Sequence, residues 1–398
     1  MPDLIVNLKS KLKKFGWLYG LNTRYKSAAV KREYRATVAR YAKMPPSLSF
    51  QELIQKRLRD NVYHAETGRP LRIFFLGTDE QQDRSGTLQA LARISELTYF
   101  TRADGSYGQN DPSPPSLRKH ANTERLWTLI KEQADLGKPP DILIAQTWAC
   151  LIEPKIFGRI RQAYGTFIIN ISMDDRHQYW GKKVKGEWGG TFPLIPHIDL
   201  ALTTAPECVD WYMREGCPAL FFPEASDPKI FHPMPELPKI HDVCFIGGRY
   251  GIRGQIVEAL QNAGIRVSAF GSGWEGGRID TESVPKLFAQ SKIVLGVGTI
   301  GHCSDFYALK MRDFDAPMSG SFYLTHDNPD LGLVYDVGQE IMTYADTTDC
   351  VDKVRYFLEH DRERETIAHK GWSRVSTEHS WANRFNTLLS LFNQQGKT

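Results

Sequence analysis

The sequence predicts an α/β protein of two domains, each built on a parallel sheet, behind a basic helical extension. Three observations carry this. The chain has 398 residues, more than one core of ordinary size takes up. Short apolar, β-branched runs alternate with amphipathic helical segments, the pattern of a parallel sheet covered on both faces. A proline-rich stretch at 224–238 divides that alternation into two halves and marks a hinge.

Composition narrows the class. With 41% hydrophobic and 24% charged residues the chain reads as a soluble globular protein, and no stretch approaches the roughly 18 consecutive apolar residues of a membrane span. Six cysteines (Cys150, Cys208, Cys217, Cys244, Cys303, Cys350) are scattered without a C-x-x-C pair, which argues against a zinc cage or a redox motif. No secretory h-region opens the sequence, so reduced thiols in the cytoplasm are expected. The net charge of +4 hides an asymmetry: residues 1–60 hold 14 Lys/Arg against 4 Asp/Glu, leaving about −6 on the remainder. A mildly acidic body does not suggest nucleic-acid binding.

Residues 1–66 form the extension. Leu4, Leu8, Leu12 and Phe15 recur at helical spacing with Lys9, Lys11, Lys13 and Lys14 between them. Residues 24–40 continue basic and helical as far as Met44-Pro45-Pro46, and 50–58 make a further amphipathic piece. A basic amphipathic helix suits an anionic membrane surface, here the inner membrane face, and equally suits packing on the protein's own body. Both destinations stay open.

The first domain, 67–228, starts with a buried strand at 71–77 that ends in a glycine, as nucleotide-type α/β domains do. A Gly/Pro/Ser/Asn loop at 107–115 is placed to face a second substrate. A helix at 122–137, a strand at 141–145, a helix at 152–164 and a strand at 167–171 follow. Beyond the carboxyl end of that last strand comes Ser172-Met173-Asp174-Asp175-Arg176-His177. Ligands of open α/β sheets bind there, so Asp174, Asp175 and His177 are candidates for acceptor binding or proton handling. A turn or helix cap would use the same acidic pair. Strands at 198–204 and 220–223 flank a helix at 206–215 and close the sheet.

The second domain, 229–375, precedes a terminal helix at 376–398. Its first strand ends in Gly247-Gly248-Arg249, with Arg253 just before a helix at 255–263. Glycines let a backbone approach phosphate closely, although the spacing is not the dinucleotide G-x-G-x-x-G. A strand at 265–270 ends in Gly271-Ser272-Gly273-Trp274. The run 291–325 concentrates the chemistry: a strand, a polar loop at 296–305, then Lys310, Arg312, Asp313 and Asp315 ahead of another strand. Two cations beside a loop and a helix start make a seat for a diphosphate; a solvated charged turn would look the same. A short strand at 339–342, a helix at 350–360 and a mostly helical end from 362 complete the chain.

As an ordered set, FIGG-R-Y-x-x-R at 245–253, FGSGW at 270–274, SKIVL through LKMRDFDAPMSGSFYLT at 291–325, GQEIMTY at 338–344 and EHSW at 378–381 resemble the C-terminal domain of GT-B glycosyltransferases. The likeness is to the spore-maturation CgeB-like group within the family-four-like transferases. It covers residues 240–395; the first half shares only strand order, the acidic motif and the PEASDPKIFHP hinge. The resemblance implies two Rossmann-like domains facing across a cleft, with the C-terminal helix crossing back to the first domain. It places Gly247, Gly248, Arg249 and Arg253 on the phosphate-facing loop, Gly271 and Trp274 at the base, Lys310 and Arg312 on the diphosphate, and Asp315 on the donor ribose. Where related transferases carry a glutamate for the donor sugar, this chain has Tyr307, so either the loop 298–305 with His302 and Asp305 takes over or the donor sugar is held differently. Asp313-Phe314-Asp315 also spells the D-x-D of the other large transferase fold. With Lys310 and Arg312 beside it to neutralise phosphate, no metal is expected.

On these grounds the expected function is metal-independent, retaining transfer of a sugar from a nucleotide-diphosphate sugar to a glycan, lipid-linked or protein acceptor in cell-surface glycan or glycoconjugate synthesis. Arg312, with Arg249 and Lys310, would stabilise the departing diphosphate, and Asp174 or His177 would orient or deprotonate the acceptor hydroxyl. No cofactor beyond the donor is expected. Tyr307 favours a second reading, a non-catalytic nucleotide-sugar-binding scaffold of a polysaccharide assembly. A sugar-nucleotide epimerase would need several acid/base residues converging on one hexose, which the second domain does not offer in sequence.

Overall fold

The apolar runs become the inner strands of two parallel sheets. The structure is a computed structural model that describes residues 16–60, 69–184 and 186–393. In the first sheet β1 (Arg72–Leu76), β2 (Glu96–Tyr99), β3 (Ile142–Ala145), β4 (Phe167–Ser172), β7 (Leu200–Thr203) and β8 (Ala219–Phe221) lie in the order β2-β1-β3-β4-β7-β8, while β5 (Lys183–Val184) and β6 (Glu187–Trp188) form a small separate hairpin. In the second, β9 (His241–Ile246), β10 (Val267–Phe270), β11 (Ser291–Gly296), β12 (Phe322–His326) and β13 (Met342–Tyr344) lie in the order β10-β9-β11-β12-β13.

Alternate side chains explain why the inner strands are apolar throughout. Phe74, Leu76, Leu143 and Ile168 enter one core of the first domain, and Ile73, Phe75, Ile142 and Ile169 enter the other. That second core is closed by Trp381, Phe385, Leu388 and Phe392 of the helix Trp381–Asn393, which lies on the first sheet although it follows the second in sequence. The chain therefore crosses between domains twice, and the crossings are knitted together. Ser226 N–H donates to the His379 carbonyl (3.1 Å) and Trp381 N–H to the Ser226 carbonyl (3.0 Å). Arg93 pairs with the buried Asp227 at 2.7 Å.

A third link is the helix Gly16–Tyr41, which straps the two domains together. Toward the first, Tyr34 Oη donates to Glu207, Tyr41 Oη to Glu215 (both 2.8 Å), and Thr37 Oγ1 accepts from Trp180 Nε1 (2.8 Å). Toward the second, Ser27 Oγ donates to Cys303 Sγ (3.1 Å), Lys31 pairs with Asp305, and the Tyr34 ring meets Phe306 edge-on at 4.9 Å. Over the described part of the extension the apolar face is thus taken by the protein's own body, while the face bearing Arg24, Lys26, Arg32 and Arg35 stays exposed. The stripe of Leu4, Leu8, Leu12 and Phe15 lies outside the described residues. No helix among the described residues is long and apolar enough to cross a membrane.

Several elements differ from the sequence reading. β2 falls in a segment read without a strand, because an edge strand with half-exposed side chains has no apolar run. The helix read at 122–137 starts earlier, at Pro115, whose missing N–H costs nothing in the first turn. The terminal helix breaks at His379–Ser380, where it pairs with the hinge.

The carboxyl ends of the two sheets face each other, and one guanidinium spans the gap. Arg176, after β4, donates to both carboxylate oxygens of Glu207 (2.7 and 2.8 Å), to Asp330 after β12 (3.0 Å from Nη2), and to the Tyr307 carbonyl (2.9 Å). All three charged side chains are largely shielded from water. Truncating a buried cation strands its carboxylates, a loss of about 3–5 kcal/mol. Arg176→Ala should therefore lower the urea midpoint markedly and split the single transition into two, one per domain; a superimposable curve would remove Arg176 from this role.

Candidate functional site

In the second sheet β9 and β11 are neighbours whose connections run to opposite sides, so the crevice beyond their carboxyl ends is the topological switch point where such sheets bind ligands. Gly247 follows β9 with φ 148°. A Cβ there would stand 2.9 Å from Arg312 Nη1 and 3.2 Å from Arg253 Nη1. Glycine is what lets two guanidiniums close on this loop. Gly271 allows the next turn to approach in the same way, since its Cβ would meet the Gly247 carbonyl at 2.5 Å.

Arg253 and Arg312 are the core of the site. Arg253 is 3% exposed, and its charge is held by the faces of Tyr250 (4.0 Å) and Phe245 (5.9 Å) and by long contacts to the carbonyls of Gly248 (3.2 Å) and Val297 (3.5 Å). Arg312 lies over Phe245 at 5.2 Å and also reaches the Val297 carbonyl at 3.5 Å. Among the described residues neither has a carboxylate within ion-pair distance, and the Nε of each is buried without a partner. Burial, and then the like charge of Arg312, push the Arg253 guanidinium down to about 10. A fold that holds two cations together in this way leaves a place for an anion.

Arg312 begins the linking helix Arg312–Met318, only seven residues long and carrying Pro317. The positive field therefore comes from side chains, not from a helix terminus. The D-x-D pair is divided. Asp313 accepts from Lys310 N–H and Tyr323 Oη (both 2.6 Å), which makes it a structural acid, while Asp315 turns to the hinge and accepts from Ser226 Oγ at 2.7 Å. Burial raises both carboxyls, Asp315 strongly.

From the first domain, Asp174 and His177 face this cluster across the cleft. Their closest approach is 3.9 Å from His177 Nε2 to Asp174 Oδ1, and His177 Nδ1 is buried without a partner among the described residues. Burial lowers the imidazole, against the pull of Asp174 and with the push of Lys310 and His302. His302 sits at the tip of the loop between β11 and the linking helix in the left-handed region (φ 61°), with its own Nδ1 unpartnered. Such a conformation costs a non-glycine residue about 1 kcal/mol or more and is held here by the strap helix against Cys303 and Asp305.

Three expectations need correction. Asp175 does not face the cleft: it is 1% exposed and accepts from Ser172 Oγ (2.6 Å), Thr191 Oγ1 (2.7 Å) and Tyr212 Oη (3.0 Å), so it anchors the turn after β4. The Arg249 side chain turns away from Gly247, pairing with Glu258 and lying over Trp274 at 5.2 Å beside a separate cavity of ≈ 320 Å³. Asp305 is engaged with Lys31 and is not available inside the loop. Trp274 donates from Nε1 to the Gly247 carbonyl at 2.7 Å and so braces the Gly247 loop.

One residue went unread. Glu224, at the hinge, is 6% exposed and its Oε2 has no hydrogen-bond partner among the described residues. Its charged neighbours are Lys310, Asp313, Asp174 and Arg312, from both sides of the cleft. Burial pushes its carboxyl up to about 8. The only trace in sequence was an acid between the last strand of the first sheet and the proline-rich hinge.

Residues 253–390 match the family model described as glycosyl transferase-like, so the second half of the chain carries a glycosyl transferase-like domain. No curated protein matches the chain. Solved structures sharing the fold include sucrose-phosphate synthase from Thermosynechococcus elongatus (12% identity, TM-score 0.60, covering 82% of this chain and 99% of that one). Anabaena HepE in complex with UDP aligns at 11% identity and TM-score 0.56 over 81% of this chain and all (100%) of that one. A putative UDP-N-acetylglucosamine 2-epimerase from Listeria monocytogenes aligns at 13% and 0.52 over 83% and 97%. The architecture is GT-B: two Rossmann-like domains facing across a cleft. The CgeB-like subgroup rests on the motifs alone.

The buried, unpaired Glu224 has a consequence for stability. Its carboxyl is raised in the fold, so the folded state holds the proton more tightly than the unfolded chain, and stability falls as pH climbs from the ordinary carboxylate range toward about 8. Lys310 and Arg312 oppose this, while Asp174 and Asp313 reinforce it. Glu224→Gln, fixed in the neutral form, should melt higher than the parent at pH 9 and level with it at pH 4. Equal melting at both pH values would mean that the carboxyl is solvated in solution.

Proposed function

We propose that the protein transfers a sugar from a nucleoside-diphosphate sugar, held at the Gly247 loop of the second domain, to an acceptor lodged against the first. Since a putative epimerase shares this fold, the reading is argued from the site. The observation that carries it is the buried Arg253 guanidinium with the half-buried Arg312 beside it, neither with a carboxylate partner among the described residues, at the switch point. A diphosphate supplies the missing charge in a geometry that two guanidinium forks match. UDP is the first nucleotide to try, because HepE was crystallised with it.

Leaving-group stabilisation follows from the same pair. As the anomeric C–O bond breaks, charge accumulates on the diphosphate, and Arg312, Arg253 and Lys310 would stabilise it, commonly the largest single catalytic effect. Because Asp313 and Asp315 are bound to Tyr323 and Ser226, the cations take the role that a D-x-D metal has elsewhere. His177, lowered by burial, is neutral near pH 7 and can accept the acceptor's hydroxyl proton, with Asp174 beside it. Retention at the anomeric carbon comes from the family resemblance and is read from the anomeric proton of the first-formed product. Cell-surface glycan or glycoconjugate synthesis, with a glycan, lipid-linked or protein acceptor, is the setting this reading favours. The exposed basic side of the strap helix supports peripheral contact with an anionic membrane.

Tyr307 supports a second reading, a nucleotide-sugar-binding scaffold that performs no transfer. The two separate on release of nucleoside diphosphate from a donor in the presence of envelope acceptors, which only the transferase gives.

UDP at about 100 times its dissociation constant should stabilise the parent by roughly 2.7 kcal/mol. Arg312→Ala removes a cation that opposes Arg253, so it should fold and melt no lower than the parent while losing most of that gain. A variant that UDP still stabilises fully would remove Arg312 from the site.

A further inference from the structure

We propose that Glu224 is the residue that holds the transferred sugar, its carboxyl hydrogen-bonding hydroxyls of the hexose from the hinge side of the cleft. The proposal rests on the nucleotide-sugar reading above and adds to it a contact that neither the sequence motifs nor the comparisons assign.

Other buried acids in this region all have donors. Asp83 has Tyr107 Oη (2.9 Å) and Thr78 N–H (3.0 Å), and Asp227 has Arg93. Asp175, Asp313 and Asp315 hold the hydroxyls described above. Among the described residues Glu224 is the one carboxylate with a buried oxygen left unpartnered. A purely structural acid would pair in the same way, or be replaced by an apolar side chain at less cost.

Its position restricts what it would meet. Its charged neighbours come from both domains, Lys310, Asp313 and Arg312 from the second and Asp174 from the first, and its buried Oε2 has no hydrogen-bond partner among the described residues, so it sits where the strand-end loops of the two domains meet. A carboxyl group repels phosphate oxygens but accepts from, and when protonated donates to, neighbouring hydroxyls, the groups a hexose presents in excess. The loop 298–308 offers no rival acid, because Asp305 is paired with Lys31 and the Tyr307 backbone is tied to Arg176.

The test compares a diphosphate with its own sugar conjugates by calorimetry: UDP, UDP-glucose, UDP-galactose and UDP-N-acetylglucosamine, on the parent and on Glu224→Gln. Glu224→Asp is the second variant, keeping the acid but shortening it, should the amide fail to fold. The parent should bind at least one conjugate more tightly than UDP. Both variants should keep the UDP affinity and lose about tenfold or more of the added affinity. Variants that keep the whole sugar increment overturn the assignment, as does a parent that binds UDP but gains nothing from any sugar. A parent that binds none of these ligands instead overturns the uridine-nucleotide donor reading, and this proposal falls with it.

Discussion

Two like charges share one small space behind Gly247, and the rest of the second domain is arranged to keep them there. Arg253 and Arg312 reach the same carbonyl, that of Val297, and lie on the same ring, that of Phe245. Cation–π contact and weak carbonyl contacts each contribute about 1 kcal/mol. That is less than the cost of burying a guanidinium unpaired. The site is therefore kept at the expense of stability, a common trait of binding and catalytic sites. In the reading proposed above, a bound diphosphate would offset this repulsion.

The domain connections give this local arrangement its reach. The hinge at Ser226 is paired to the break at Ser380, and it touches the site directly, since Ser226 Oγ donates to Asp315. Arg176 ties the acidic turn of the first domain to Asp330 and to Tyr307 of the second. The strap helix holds the loop that carries His302. A change in domain angle would therefore be felt at the Gly247 loop, the hinge carboxyl and His177 together, the groups that the proposed transfer would have to align.

Much of this was legible in the chain. Apolar runs at β1, β3, β4, β9, β11 and β12 marked the inner strands because strands buried on both faces have no polar alternation. Gly247, Arg253, Lys310 and Arg312 were legible as a group because they follow strand ends, and strand ends in a parallel sheet converge on one crevice. What sequence could not convey was which polar residues end up inside. Asp174 and Asp175 are adjacent in the chain and point to opposite fates, one to the cleft and one to the core. Arg249 found a partner nine residues away on the next helix, and Glu224 found none. The Gly16–Tyr41 helix read as basic and helical over 24–40, but its two-domain contacts depend on residues more than 130 positions distant.

The most direct measurement is an experimental structure with UDP bound. The account predicts diphosphate oxygens within hydrogen-bonding distance of both Arg253 and Arg312 beside the Gly247 loop, with Arg249 still paired to Glu258. A diphosphate seated elsewhere, for instance in the cavity beside Arg249 and Trp274, with Arg253 and Arg312 untouched, would contradict it.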